Sequence, residues 1–234
     1  MGKIQLRRSV MVQLLLSLKR IHELSPEEVM KQQLPSDQTN QIPGFIKKLS
    51  KQRDKGELGL STNEIVILGN FCELTSLKST SVQNWVKRDI KEIIGPPELG
   101  KKYSVEQAAL LLIVKDLKTI FDFETVRSLL MKVFNTISDR NDDLISPLMF
   151  YKLYTDVLEQ VKNVEIDNNR QFEKKLFVQT KRLLQKQTSL SEAQIDSICH
   201  VTVAAVLAVL TYHFQTRAKA FIDKESESKK IDNN

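Results

Sequence analysis

Cysteine is nearly absent: Cys72 and Cys199 are the only two in 234 residues. Two thiols so far apart supply neither a disulfide framework nor a Cys-x-x-Cys metal site, and a reducing cytoplasm is the expected setting. Glycine (seven) and proline (six) are scarce, and aromatics make up 6%. Sheet-rich folds need turn residues and aromatic or β-branched strands, so this shortage points to helices. No glycine-rich phosphate loop and no His-Glu-x-x-His pattern occurs. The three histidines, His22, His200 and His213, lie far apart. Cys199 and His200, as sequence neighbours, fall on different sides of a helix, so a buried, hydrogen-bonded His200 is expected rather than a metal ligand. Serine and aspartate are plentiful, yet none pairs with a histidine in a recognisable arrangement. No catalytic residue, metal or cofactor is therefore assigned, and an enzyme is not expected. Arg7 and Arg8 precede an apolar patch, but Lys19, Arg20 and Glu23 follow with no small-residue cleavage site, so no secretory signal is expected.

What is present is ordinary globular material. Hydrophobic residues make up 41% and charged residues 27%, enough for a real core in one large domain or two small ones. The net charge of +6 leans mildly towards polyanions. Residues 9 to 24 place Val10, Leu14, Leu18 and Ile21 at helical spacing. Ser25-Pro26-Glu27-Glu28 starts a second helix, with a capping serine, proline at the first helical position and glutamate three residues after the cap. After a polar loop from Gln32 to Asn40, Phe45 to Lys55 reads as a short basic helix. Its cluster of Lys47, Lys48, Lys51, Arg53 and Lys55 fits a solvated face, or an arm touching phosphates.

The informative stretch runs from Ser61 to Phe134. Ser61 with Glu64 opens a helix whose apolar side carries Ile65, Leu68 and Cys72, and Thr75 to Ser79 follows as a turn. The next helix, Thr80 to Lys91, divides into two faces. Val82, Trp85 and Val86 point into a core, with Trp85 as the deep aromatic anchor. Thr80, Gln83, Asn84 and Lys87 share the opposite face at i, i+3, i+4 and i+7. That face lacks the glutamate–lysine mixture usual on a solvated helix. Amides can hydrogen-bond base edges in bidentate fashion, and Lys87, Arg88 and Lys78 can neutralise phosphates. The hydroxyl-rich start, Ser79, Thr80 and Ser81, offers backbone N–H groups to phosphate oxygens. Ile93 to Tyr103 then has a Gly-Pro-Pro centre between two short segments, which as a hairpin would lay Lys101 and Lys102 on a sugar–phosphate backbone. Tyr103 is expected to anchor the strand-to-helix junction. Ser104 with Gln107 caps a largely buried helix bearing Val105, Ala108, Ala109, Leu111, Leu112 and Leu117, and Asp122 starts a further one with Phe123, Val126, Leu129 and Leu130.

This order of helix, turn, TSVQNWVKRDI, wing ending KKYS, apolar helix and FDFETVRSLL resembles the DNA-binding domain of MerR-type regulators. More closely, TSVQNWVKR with PPELGKKYSVEQAALLLIVKDLKTI resembles the YkrK-type family of Firmicute proteins, catalogued as a domain of unknown function, over about residues 60 to 134. The MerR likeness implies a winged helix-turn-helix with Gln83 and Asn84 facing the groove, Lys87 nearby, and Val82 and Trp85 at core positions. Asp89, where those regulators have a helix-ending glycine, and the smaller number of wing arginines depart from their pattern.

Beyond a polar break at Asn135 to Asn141, Ser146-Pro147 opens a helix carrying Leu148, Tyr151, Leu153, Tyr154, Val157, Leu158 and Val161. A charged linker, Glu165 to Arg170, leads to Phe172 to Gln187, whose basic face holds Lys174, Lys175, Lys181, Arg182 and Lys186 and reads first as solvated. Ser191 with Gln194 caps the last helix, which carries no formal charge from Ser197 to Thr216. Residues 197–216 are about long enough to span a bilayer, but His200, Thr202, Thr211, His213 and Gln215 suit a bundle core or dimer interface better. Ala204, Ala205 and Ala208 would allow close helix approach.

The sequence thus predicts a mainly α, MerR-like winged helix-turn-helix protein in four parts. These are an N-terminal helical arm (1–60), the DNA-binding domain (61–134), a C-terminal helical region for dimerisation or ligand (142–222) and a disordered tail (223–234). The expected activity is transcription regulation by a homodimer on double-stranded DNA. Lys78, Ser79, Thr80, Ser81, Gln83, Asn84, Lys87, Arg88, Lys101 and Lys102 form the interface, with two recognition helices ~34 Å apart on a palindromic operator. The competing reading is a protein-interaction module of winged-helix shape, because six basic residues from Lys78 to Lys102 face three acidic ones, a modest balance for a DNA surface. A third reading is a regulator anchored in a membrane by its last helix.

Overall fold

The computed structural model describes residues 4–52, 56–73, 75–134, 141–161, 171–185 and 190–231, the side chains of 185 and 224–231 apart. Arg53, Lys55, Lys186, most of the polar break, the charged linker and residues 232–234 lie outside the described residues. In order, the helices are α1 (Arg8–Leu18), α2 (Pro26–Lys31), α3 (Gly44–Lys51), α4 (Thr62–Phe71), α5 (Ser79–Asn84), α6 (Lys91–Ile94), α7 (Val105–Leu117), α8 (Phe123–Leu130), α9 (Pro147–Gln160), α10 (Gln171–Gln185) and α11 (Glu192–Ile231). Among the described residues the backbone forms isolated β-bridges rather than strands, so the protein is mainly α.

Local chemistry starts these helices. Ser25, Ser61, Ser104 and Ser191 cap α2, α4, α7 and α11, each hydroxyl accepting from the backbone N–H three residues on. In return Glu28, Glu64, Gln107 and Gln194 accept the serines' own N–H groups, pairing donors that a helix start leaves open. Asp122 caps α8, and Ser146 with Pro147 caps α9.

α7 is the centre. Every residue of it except Glu106 is buried, Gln107, Lys115 and Asp116 included, so its polar groups must find partners inside the protein. α9 packs against α7, α1 and α11, and α11 against α7 and α10. One cluster of buried side chains runs from Ile4 to Val209. The stretch read as an N-terminal arm is therefore part of the same core as the other parts: α1 lies against α9, and Leu6 bridges to Cys72, its N–H donating to Phe71 O at 2.6 Å. α1 also ends earlier than its periodicity suggests. Arg20 adopts a left-handed φ of 66°, and Ile21 is 60% exposed instead of packed. α11 is, among the described residues, the helix long and apolar enough to cross a membrane; half of its apolar window is buried in the protein. Its helical backbone continues to Ile231, through most of the segment expected to be disordered. His200 on α11 is exposed, not buried; its ring packs edge-on to Phe177 and Nδ1 lies 2.7 Å from Asp196 O.

Inside this apolar core sits a saturated ion cluster. Asp116 of α7 accepts from Arg8 Nε (3.2 Å) and Tyr154 OH (2.9 Å) on one oxygen, and from Arg8 Nη2 (3.0 Å) and Lys115 Nζ (3.2 Å) on the other. Arg8 Nη1 also donates to His213 Nε2 at 3.1 Å, and Lys115 Nζ donates to Thr75 at 3.0 Å. Burial works against the charge on Asp116, but Arg8 and Lys115 outweigh it and hold the carboxyl well below the usual carboxylate range. Burial, then the charge of Arg8, lowers the His213 imidazole. Removing one partner of such a pair leaves a buried charge alone, so Asp116→Ala should cost about 3–5 kcal/mol. Denaturant unfolding will show this, and the paired Arg8→Met/Asp116→Leu change should cost less than either single substitution.

Candidate nucleic-acid interface

α4, the connection after it and α5 form the unit on which the interface depends. Asn70, near the end of α4, clamps the connection: Oδ1 accepts Leu77 N–H at 2.7 Å and Nδ2 donates to Leu77 O at 3.0 Å. Leu77 then folds back over Gly69, where a Cβ would come within 2.3 Å of its Cδ1. Any larger residue here would force the Leu77 side chain to shift. On α5, Val82 is fully buried.

After Asn84 the helix widens into a π-turn, Trp85–Asp89, closed by Ile90 N–H donating to Trp85 O at 3.0 Å. The expected continuous helix from Thr80 to Lys91 is therefore interrupted, and α6 follows as a separate short turn. The extra residue changes the inward face. Ile90 is buried, while Trp85 and Val86 are half-buried. Trp85 is not the deep anchor; its ring packs edge-on against Phe123 at 6.0 Å. From α8, Arg127 Nη2 donates to Asp89 O at 3.4 Å.

The outward face is as the helical spacing predicts. Thr80, Gln83, Asn84, Lys87 and Arg88 are exposed, with Lys78 just ahead of them, while Ser79 and Ser81 are half-buried. Among the described residues the side chains of Gln83, Asn84, Lys87 and Arg88 have no hydrogen-bond or ionic partner in the protein.

The segment facing this helix is shorter than the expected hairpin. Ile93 and Ile94 belong to α6, Gly95 turns with φ 70°, and only Leu99 to Lys102 closes as a tight turn. Tyr103 is buried and exchanges both backbone hydrogen bonds with Leu60 at 2.8 Å. Lys101 is exposed, but Lys102 is engaged: its ammonium donates to Gly59 O at 3.3 Å and lies 3.6 Å from Glu64 Oε2. Between helix and loop lies an open cleft of ≈ 560 Å³, with Gln83, Lys87 and Lys91 on one side and Pro96, Pro97 and Tyr103 on the other.

What holds the loop is Gln107, fully buried at the start of α7. Its Nε2 donates to Ile94 O and Pro96 O at 2.7 Å each, and its Oε1 accepts from Ser104 N–H (3.0 Å) and Glu98 N–H (3.2 Å). Every hydrogen-bonding position of the amide is used. The capping pattern marks Gln107, but its reach across the chain to Pro96 has no local signal. Asn70 has none either. Gln107→Leu should leave four backbone groups unpaired and cost at least about 1–3 kcal/mol, read by urea unfolding, with faster amide exchange at residues 95–99.

Comparison with known proteins places the chain in a family. The profile of a domain of unknown function (DUF1836) matches residues 51–154, which cover α4 to α8 and most of α9. No solved structure matches the chain. A Bacillus subtilis (strain 168) protein named "Uncharacterized protein YkrK" is 45% identical over 225 residues, 93% of this chain and 97% of its own length. Similarity of that extent covers the core, α4 to α6 and the C-terminal helices together, and the chain belongs to the YkrK-type family.

Proposed function

We propose that this protein is a sequence-specific DNA-binding regulator in which α4, the Asn70-clamped turn and α5 act as a helix-turn-helix and residues 95–103 as a short wing. The single observation that carries the reading is the outward face of α5. Gln83 and Asn84 stand exposed beside Lys87 and Arg88, all four without a side-chain partner among the described residues. An adjacent pair of free amides can read base edges, and free cations at their side can meet phosphates. Lys78, Lys91 and Lys101 extend the cationic rim. Lys102 is left out of the phosphate set, because Glu64 and Gly59 already hold it.

Gln83→Ala should weaken binding by about 1–3 kcal/mol for one preferred base pair and little for others. Lys87→Ala should weaken all sequences alike and lower the salt slope by about 1. Fluorescence anisotropy against selected and random duplexes at several salt concentrations separates the two. Binding that is absent, or independent of salt, favours the protein-interaction reading. That reading draws on the apolar side of the cleft, Val86, Pro96, Pro97 and Tyr103.

The same proposal includes a homodimer. On the far part of α11, Phe214 and Phe221 are 55% and 65% exposed, and Ala218 lies between them on the same face at i+4. Such a stripe on a helix leaving the core suits a second copy of that helix. Phe214→Asp should shift the protein from dimer to monomer in sedimentation equilibrium with its helical circular dichroism unchanged.

A further inference from the structure

Far from the α5 face in sequence, α10 and the end of α9 enclose an open pocket of ≈ 510 Å³, within the ~300–1,000 Å³ range of small-molecule sites. Its lining combines three cations with two valines and three glutamines. Lys174, Lys175 and Arg182 line it, are exposed, and among the described residues have no ionic or hydrogen-bond partner. Lys181, on the same helix, shows the contrast: its ammonium contacts Glu192 at 2.6 Å and Asp196 at 3.4 Å. Between these cations lies Val178, 47% exposed, above the buried Val161, and Gln160, Gln171 and Gln179 complete the lining. Lys174, Val178 and Arg182 follow one another at i, i+4 and i+8, so the valine lies between two positive charges on one helical stripe.

We propose that this pocket binds a small amphipathic anion, a carboxylate or phosphate monoester on an apolar body. Three cations confined to one pocket repel one another, and an anionic head relieves that repulsion through charge-assisted hydrogen bonds. An alkyl or aryl body covers Val178, which an inorganic ion would leave wet. Backbone phosphates of a nucleic acid are flanked by oxygen-bearing sugars rather than by an alkyl or aryl body, so the exposed Val178 favours the small molecule. The inference is independent of what the α5 face binds, and either stands if the other fails.

The test uses the full chain and 8-anilinonaphthalene-1-sulfonate, an aromatic sulfonate, as fluorescent probe. The expected result is a saturable titration with one site per chain. Octanoate and octyl phosphate displace the probe, whereas inorganic phosphate at equal ionic strength does not. Lys174→Gln/Arg182→Gln should weaken probe binding about tenfold, the loss of roughly one charge-assisted hydrogen bond. Lys47→Gln/Lys48→Gln, on α3, should leave it unchanged. All four positions lie on the surface or near it, and circular dichroism confirms that each variant is folded. Val178→Asp, a second route to the same loss, should abolish the titration. The proposal is overturned by non-saturable fluorescence, by equal affinity in the chain and in Lys174→Gln/Arg182→Gln, by displacement with inorganic phosphate alone, or by capture on anionic vesicles without response to octanoate or octyl phosphate.

Discussion

The contact between Arg8 and Asp116 is the constraint on which the rest depends. Taking two charges out of water costs several kcal/mol per ion, and only excellent geometry returns it. Here the guanidinium meets the carboxylate through two nitrogens, while Tyr154 and Lys115 fill the remaining acceptor positions. Because the donors come from α1, α7 and α9, and His213 on α11 accepts from the same guanidinium, the cluster has one arrangement in which everything is paired. Any sliding of α1 against α7 would strand a charge. Apolar packing along the core from Ile4 to Val209 supplies the bulk of the stabilisation; the ion cluster selects which packing of these helices is allowed.

A second set of polar side chains fixes the turn and loop around α5, and these amides divide into two kinds. Asn70 and Gln107 spend their hydrogen bonds inside the protein, one fastening the turn before α5 and the other the loop opposite it. Among the described residues Gln83 and Asn84 have no such partner. Buried and satisfied amides make a rigid frame, while exposed and unsatisfied ones remain available to a ligand. The π-turn after Asn84 belongs to the same economy of space. It leaves Trp85 half-buried against Phe123 and carries Lys87 and Arg88 outward beside the amides.

Much of this was legible in the sequence wherever a rule acts over three or four residues. Ser25, Ser61, Ser104 and Ser191 all start helices with the partner three residues on, because a cap needs only its own turn. The burial of α7 and the outward placing of Gln83 and Asn84 follow from helical spacing alone. What distant residues decide was not legible. Spacing shows which face of a helix is apolar, but not which helix will cover it, so α1 read as an arm when it lies in the core. Arg8 and Asp116 are far apart in sequence, and the one hint was a charged Lys115-Asp116 pair directly after the apolar run Ala108 to Val114. The π-turn has no propensity signature, and the left-handed turn at Arg20, which exposes Ile21, falls on a residue that does not advertise it.

Amide hydrogen exchange of the full chain with and without duplex DNA at low salt tests the central claim most directly. The account predicts slowed exchange over residues 76–103, from the turn before α5 through the loop held by Gln107, with α9 and the buried part of α11 unchanged. Unaltered exchange in that segment, or protection confined to α10 or α11, would contradict it.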